Sequence, residues 1–165
     1  MSETTGTAKD VARTLNERLS ARDTEGVLEL MADDVELIWP IDVYRGKAEA
    51  RRALDELFHA FPDFNREAHR IVAEDDHAVI EFRASGTFEG GTFGGYEPTG
   101  KHGTIHGTEV STIEDGLLTR VRVYYDQMEF AREAGLLPQE GSPGERAMAG
   151  MINAVTKVRQ RLQQK

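Results

Sequence analysis

The stretch VRVYYDQMEFAREAGLLP, Val121 to Pro138, brings an apolar strand to a lone carboxylate, Asp126, immediately before a short helix. A strand end is a rigid mount. Facing a dry pocket, Asp126 would hold a raised pKa and act as a general acid or base; facing water, it would cap the amides of the helix that begins near Met128. Val121, Val123 and Tyr125 read as the buried side of the strand, which turns Arg122, Tyr124 and Asp126 outward unless a bulge intervenes. Glu109 in GTEVSTI is the second acid. Buried, it would be a neutral donor to an enolate; on the surface, it would pair across strands with an arginine.

His106 would donate a hydrogen bond to a substrate carbonyl or shuttle a proton beside Asp126, or else stand solvated on its strand. His102 and His106 do not make a zinc pair, because four residues along a strand separate them by about 13 Å. No metal site is expected. Arg83 shares a strand face with Glu81, which suggests a surface ion pair, whereas an inward Arg83 would hold a substrate carboxylate or enolate. Trp39, Phe58, Phe61, Phe82, Phe88, Phe93 and Tyr96 are mostly core, and Phe88, Phe93 and Tyr96 belong to or flank the loop SGTFEGGTFGGYEPTGKHG. With seven glycines from Gly86 to Gly103, that loop reads as a mobile connection or lid over a pocket mouth that would suit flat aromatic substrates. Gly95 to Lys101 fits part of a phosphate-binding loop, but His102 replaces the magnesium-binding hydroxyl and Pro98 removes a backbone donor.

The elements that must position these groups follow from periodicity. Thr7 and Asp10 form a capping box ahead of Val11, Leu15 and Leu19, so a helix is expected over residues 8 to 21, with residues 1 to 6 loose. Asp23 caps a second short helix carrying Val27, Leu30 and Met31, followed by a strand from Val35 to Trp39 that Pro40 closes. A third helix beyond Gly46 presents Ala50, Leu54, Leu57, Phe58 and Phe61. The period then changes to two, giving strands at about 65 to 74, 77 to 89, 101 to 113 and 117 to 126. Glu114-Asp115-Gly116 is a hairpin turn. Ser142, Pro143 and Glu145 open a tail helix whose stripe of Met148, Met151, Ile152, Val155, Val158 and Leu162 must cover either its own sheet or a neighbouring subunit.

Composition sets the outer limits. The 165 residues fit one domain, and 29 acidic against 20 basic side chains give a net charge of −9, which repels nucleic acid and anionic membranes. The absence of cysteine excludes disulfide and thiolate chemistry. Neither a signal sequence nor a membrane span is evident, so a cytoplasmic location is expected.

Three helices followed by a four-stranded meander, with ARDTEGVLELMADDVELIWPIDVYRGKAEARRAL early and IEDGLLTRVRVYYDQMEFAREAGLLP late, resemble the SnoaL-like branch of the NTF2-like superfamily over residues 8 to 138. The resemblance implies an α+β cone, a curved antiparallel-rich sheet wrapped around the N-terminal helices. Residues 1–138 would form this domain, with a linker and amphipathic helix at 139–165. It also implies a homodimer, an apolar pocket for a small hydrophobic or aromatic ligand, no cofactor, and Asp126 as the acid/base. In ketosteroid isomerase relatives the general base falls at Trp39, the enolate-donating tyrosine at Leu15 and the oxyanion-hole acid at Glu109. That departure disfavours isomerase chemistry.

The expected activity is cofactor-free acid/base catalysis on a polyketide-like carbonyl compound, by aldol cyclisation, with Asp126, His106 and Glu109 as catalytic residues. Trp39, Arg83, Phe82, Tyr96 and Tyr124 are the substrate-binding candidates. The alternatives are a non-catalytic hydrophobic-ligand or interaction module, or a hydrolase or dehydratase of the same fold. Hydrolysis would need Arg83 beside Asp126.

Overall fold

The computed structural model describes residues 7–163, so the expectation of a loose segment at residues 1 to 6 lies outside the described residues. Helix α1 (Ala8–Ser20) starts at the capping box, Thr7 accepting from the Asp10 amide while the Asp10 carboxylate accepts from the Thr7 amide. Its buried stripe is Val11, Ala12, Leu15 and Leu19. Helix α2 (Thr24–Glu29) is capped by Asp23, and α3 (Gly46–Ala60) turns Ala50, Ala53 and Leu54 inward. These three helices supply one wall of the core.

The other wall is a curved six-stranded sheet of β1 (Met31–Ile38), β2 (Val43–Arg45), β3 (Asn65–Glu74), β4 (His77–Thr87), β5 (His102–Glu114) and β6 (Leu117–Tyr125). Its order is β2-β1-β6-β5-β4-β3, and every pairing is antiparallel except β1 with β6. Strand β1 begins at Met31, earlier than the expected Val35, because Met31 pairs with Leu118 and an irregularity before Glu36 absorbs the intervening residues. The Pro40 to Gly46 loop contains β2, whose three residues are too few to show alternation but pair with β1 from Glu36 to Ile38. Asp115 (φ 50) and Gly116 (φ 80) are both left-handed, the geometry of a type I′ turn joining β5 to β6.

Alternation along β4 decides which side chains meet the helices. Ala78, Ile80, Phe82, Ala84 and Gly86 are buried while Glu81 and Arg83 are exposed, and Ile80 packs in one core with Leu15, Leu54, Leu118 and Val121. Each such leucine or isoleucine contributes about 1.5–3 kcal/mol on burial. A second, aromatic cluster of Phe61, Phe88, Phe93 and Ala134 closes one end of the cone, with Phe130 from α4 (Gln127–Glu133) against it.

Helix α5 (Pro143–Gln163) has no buried residue, and beyond a half-buried Met148 its stripe is exposed, from 54% at Ile152 to 71% at Leu162. Packing of that stripe on its own sheet is therefore not realised. Among the described residues no helix is long and apolar enough to cross a membrane.

Candidate functional site

Between the helices and the concave face of the sheet lies a cavity of about 130 Å³. Leu15 and Leu19 come from α1, Leu54 and Leu57 from α3, and Ile105, Val121, Val123 and Tyr125 from the inward positions of β5 and β6. Phe61, Phe93 and Phe130 close the aromatic end. An apolar void of roughly 150 Å³ accommodates benzene, so this one is sized for about a single ring.

Its fully buried charges form one group. Arg66 on β3 and Glu109 on β5 are 5% and 2% exposed, and Arg66 Nη1 donates to Glu109 Oε2 at 2.8 Å. Ser111 Oγ donates to the other carboxylate oxygen at 3.3 Å. The Arg66 guanidinium lies over the Phe82 ring, 4.0 Å from its centroid, in a cation–π contact. Room for that stack comes from Gly107, where a Cβ would meet Phe82 Cζ at 2.5 Å. A charge pair so far from water holds only because the partners are in direct contact.

Tyr125 is a further donor that lines the cavity. Glu109 pairs with Val123 and Gly107 with Tyr125 across the β5–β6 ladder, so Tyr125 is the diagonal neighbour of Glu109 on the inner face, about 7–8 Å away. Burial, with a smaller push from Tyr44, raises its phenol to about 12, so it is a neutral donor at ordinary pH. Lys101 and Glu133 also line the cavity, Glu133 Oε2 accepting from the Thr104 amide at 3.3 Å.

Several expected site residues stand elsewhere. Asp126 is exposed, and its Oδ1 accepts from the amides of Met128 at 2.7 Å and Glu129 at 3.2 Å, the helix-cap alternative. No bulge turns it inward, because the ladder runs in register from Ser111↔Val121 to Gly107↔Tyr125 and shifts only between Thr112 and Ile113. Asp126 borders a shallow surface depression with Pro40, Arg122, Tyr124 and Gln127. Trp39, Val123 and Tyr125 line both that depression and the cavity, and so form the wall between them.

The same parity corrects His106, Arg83 and Tyr124. His106 is exposed with Nδ1 3.6 Å from Glu129 Oε1, and Arg83 is exposed and 3.6 Å from Glu67, the residue opposite it on β3, rather than Glu81. Tyr124 is 51% exposed beside Arg122. Tyr96 is 56% exposed at the loop tip, while Phe93 of the same loop reaches the cavity. Glu109, Phe82 and Trp39 are the candidates that the fold does bring to the cavity.

The glycine-rich loop is pinned. The amides of Glu89 and Gly90 both donate to the Ala60 carbonyl, and Phe88 and Phe93 are buried in the aromatic cluster. A Cβ at Gly90 would sit 1.7 Å from the His59 carbonyl oxygen, so glycine is what permits this docking. The tip from Gly94 to Gly100 is exposed throughout.

Arg66 escaped the sequence reading because NREAHRIVAE alternates poorly and an irregularity between Ala68 and Arg70 breaks its phase. The available signal was Glu109 itself. An inward carboxyl group on a strand must either stay protonated or find a cation within reach.

A family model for SnoaL-like polyketide cyclase matches residues 9–134. None of the curated proteins matches the sequence. Among solved structures, AclR from Streptomyces galilaeus, provisionally designated a hydroxylase, is 20% identical over 92% of this chain and 96% of its own, with a TM-score of 0.70. A protein from Jannaschia sp. CCS1, provisionally designated a SnoaL-like polyketide cyclase, is 20% identical over 79% and 93%, with a TM-score of 0.71. A protein of ketosteroid isomerase-like fold from Catenulispora acidiphila DSM 44928, solved with trimethylamine, is 14% identical over 84% and 100%, with a TM-score of 0.67. The curved, unclosed sheet is thus the expected NTF2-like cone.

Proposed function

Because the chain belongs to the SnoaL-like polyketide cyclase family, we propose that it is a cofactor-free enzyme that enolises a small hydrophobic carbonyl compound of polyketide type and closes a ring by aldol addition. The observation that carries this reading is an apolar cavity containing a carboxylate, Glu109, with the neutral phenol of Tyr125 on the same inner face. Glu109 removes a proton from the carbon beside the carbonyl, and the C–H electron pair moves into an enolate whose oxygen accepts from the Tyr125 hydroxyl. The enolate carbon then bonds to a second carbonyl of the same molecule, and the resulting alkoxide takes back the proton from Glu109. The net change is an isomerisation needing no oxidant. Negative charge passes from Glu109 to substrate while Arg66 stays charged beside both.

Asp126 enters as the competing catalytic carboxylate, since the family resemblance gives the acid/base role to that position. The two assignments separate cleanly. Asn caps a helix about as well as Asp, so Asp126→Asn keeps the fold and removes the acid. On the Glu109 reading, Asp126→Asn retains turnover within about threefold while Tyr125→Phe loses roughly 10²-fold in kcat, the usual cost of one transition-state donor. Loss of turnover in Asp126→Asn with retention in Tyr125→Phe would transfer the chemistry to Asp126. A non-catalytic carrier is the reading from another class, favoured by the fact that both Glu109 oxygens are already engaged. It predicts ligand binding without product in the unmodified protein.

The homodimer belongs to the same proposal. Met148, Met151, Val155, Val158 and Leu162 recur at intervals of three and four, the self-complementary spacing of a two-helix seam, which makes a second copy the natural cover for α5. Sedimentation of the intact chain beside Val155→Asp tests it, a monomer in both cases removing it.

A further inference from the structure

Apolar side chains and charges follow different patterns along α5. Met148, Met151, Val155, Val158 and Leu162 recur at three and four residues without a break, as the a and d positions of a two-helix seam do. Every residue from Ala149 to Gln163 is exposed, so no other described element covers most of that seam. The charges, by contrast, are unevenly placed. At the start of the helix Glu140 and Glu145 are balanced by Arg132 and Arg146, with Arg132 Nη2 donating to Glu145 Oε1 at 2.7 Å. The second half holds Lys157, Arg159 and Arg161 and no acid.

Residues 143–165 together carry five basic side chains and one acidic one, although the whole chain has a net charge of −9. The acidic excess therefore belongs to the domain from which α5 projects. Spacing alone lets two copies of the helix lie in the same or in opposite directions, and charge separates the two cases. Parallel pairing sets two basic halves side by side and gathers two acidic domains at one end, where like charges repel. Antiparallel pairing puts the domains at opposite ends of a 21-residue helix, about 31 Å apart, which is several Debye lengths at ordinary salt. It also lays each basic half beside the balanced start of the other helix and the acidic domain behind it. Full overlap keeps the layers apolar, because Met148 comes level with Val158 of the partner subunit and Met151 with Val155 of the partner subunit.

We infer that α5 is an antiparallel seam between two copies of this chain, the basic half of each helix lying along the start of the other, at the end where Arg132 of α4 holds Glu145. The inference rests on the homodimer reading above and adds the direction of pairing. It brings the second copy up to α4, the helix that supplies Phe130 to the cavity.

The chain has no cysteine, so an introduced one is the sole thiol and its cross-links report which positions meet. Chains carrying Met148→Cys and chains carrying Val158→Cys are mixed, equilibrated, oxidised gently and identified by intact mass. Neither position belongs to the buried core, so both chains keep the domain. The mixed disulfide is expected to exceed either like pair at least fivefold. In the antiparallel seam two like positions stand ten residues apart, about 15 Å, whereas a disulfide needs Cα atoms within about 7 Å. Sedimentation of the unmodified chain gives a second measurement: raising salt from about 0.02 to 0.3 M should weaken the dimer at least threefold, because the charges brought together attract. An excess of like pairs, a statistical mixture, the absence of any disulfide, or a dimer that tightens with salt would each overturn the antiparallel seam. A dimer that forms like pairs leaves the homodimer standing and removes only the direction. An unmodified chain that stays monomeric at every salt concentration removes both.

Discussion

Two carboxylates near the same end of the sheet have opposite environments. Glu109, on β5, faces the helices, is 2% exposed, and is held by Arg66 and Ser111. Asp126, just past β6, is exposed and spends Oδ1 on two backbone amides of α4. Both lie within a few residues of paired positions, since Gly107 opposes Tyr125. What separates them is parity. One step along a strand exchanges the cavity for solvent, so the residue beside an inward Tyr125 is turned outward whatever its chemistry.

The comparison breaks first at Glu109 and Arg66. Removing either partner leaves a buried charge uncompensated, and Glu109→Leu or Arg66→Met should each lower unfolding stability by about 3–5 kcal/mol. The double variant Arg66→Met with Glu109→Leu should recover most of that loss, since apolar replacement of a whole buried pair is often neutral. Urea denaturation with a thermodynamic cycle measures this, and additive losses would mean that the two charges are not coupled.

Tyr125 sharpens the same contrast through pH. Its phenol ionises near 10 in an unfolded chain and is raised to about 12 in the folded one, so the unfolded state gives up its proton first as pH rises. The stability it contributes is fully present below pH about 10 and is lost through about 12, roughly 2–3 kcal/mol in all. Tyr125→Phe should flatten that part of a stability–pH profile, and an unchanged slope would contradict burial of the hydroxyl.

At Asp126 the expected effect is smaller and local. Asp126→Ala removes the α4 cap and should cost about 1 kcal/mol, while Asp126→Asn stays within a few tenths. Because α4 brings Phe130 to the closed end of the cavity, hydrogen exchange should rise in α4 and leave the β4–β5 core unchanged. A loss as large as that at Glu109 would show that Asp126 does more than cap.

Much of this was legible locally. The capping box at Thr7, the Asp115-Gly116 turn and the alternation of β4 depend on neighbours within a few residues, and each reads correctly from the chain, whereas the equally local parity that turns Asp126 outward was set aside by the acid/base role expected of it. Strand β2, the parallel β1–β6 pairing and the pinned glycine-rich loop did not, because each depends on a surface remote in sequence: β1, β6 and the Ala60 carbonyl at the end of α3. The partner of Glu109 is the sharpest case, since Arg66 lies 43 residues away with a further strand between them.

The sequence by itself determined the α+β class, the order of the helices and of the strands other than β2, and the alternation of faces along regular strands such as β4, because backbone periodicity and capping are short-range. Only the tertiary structure decided which inward residues share one cavity. Curvature of the sheet brings the inward side of β3 towards that of β5 across the intervening strand, and sequence spacing carries no record of that distance.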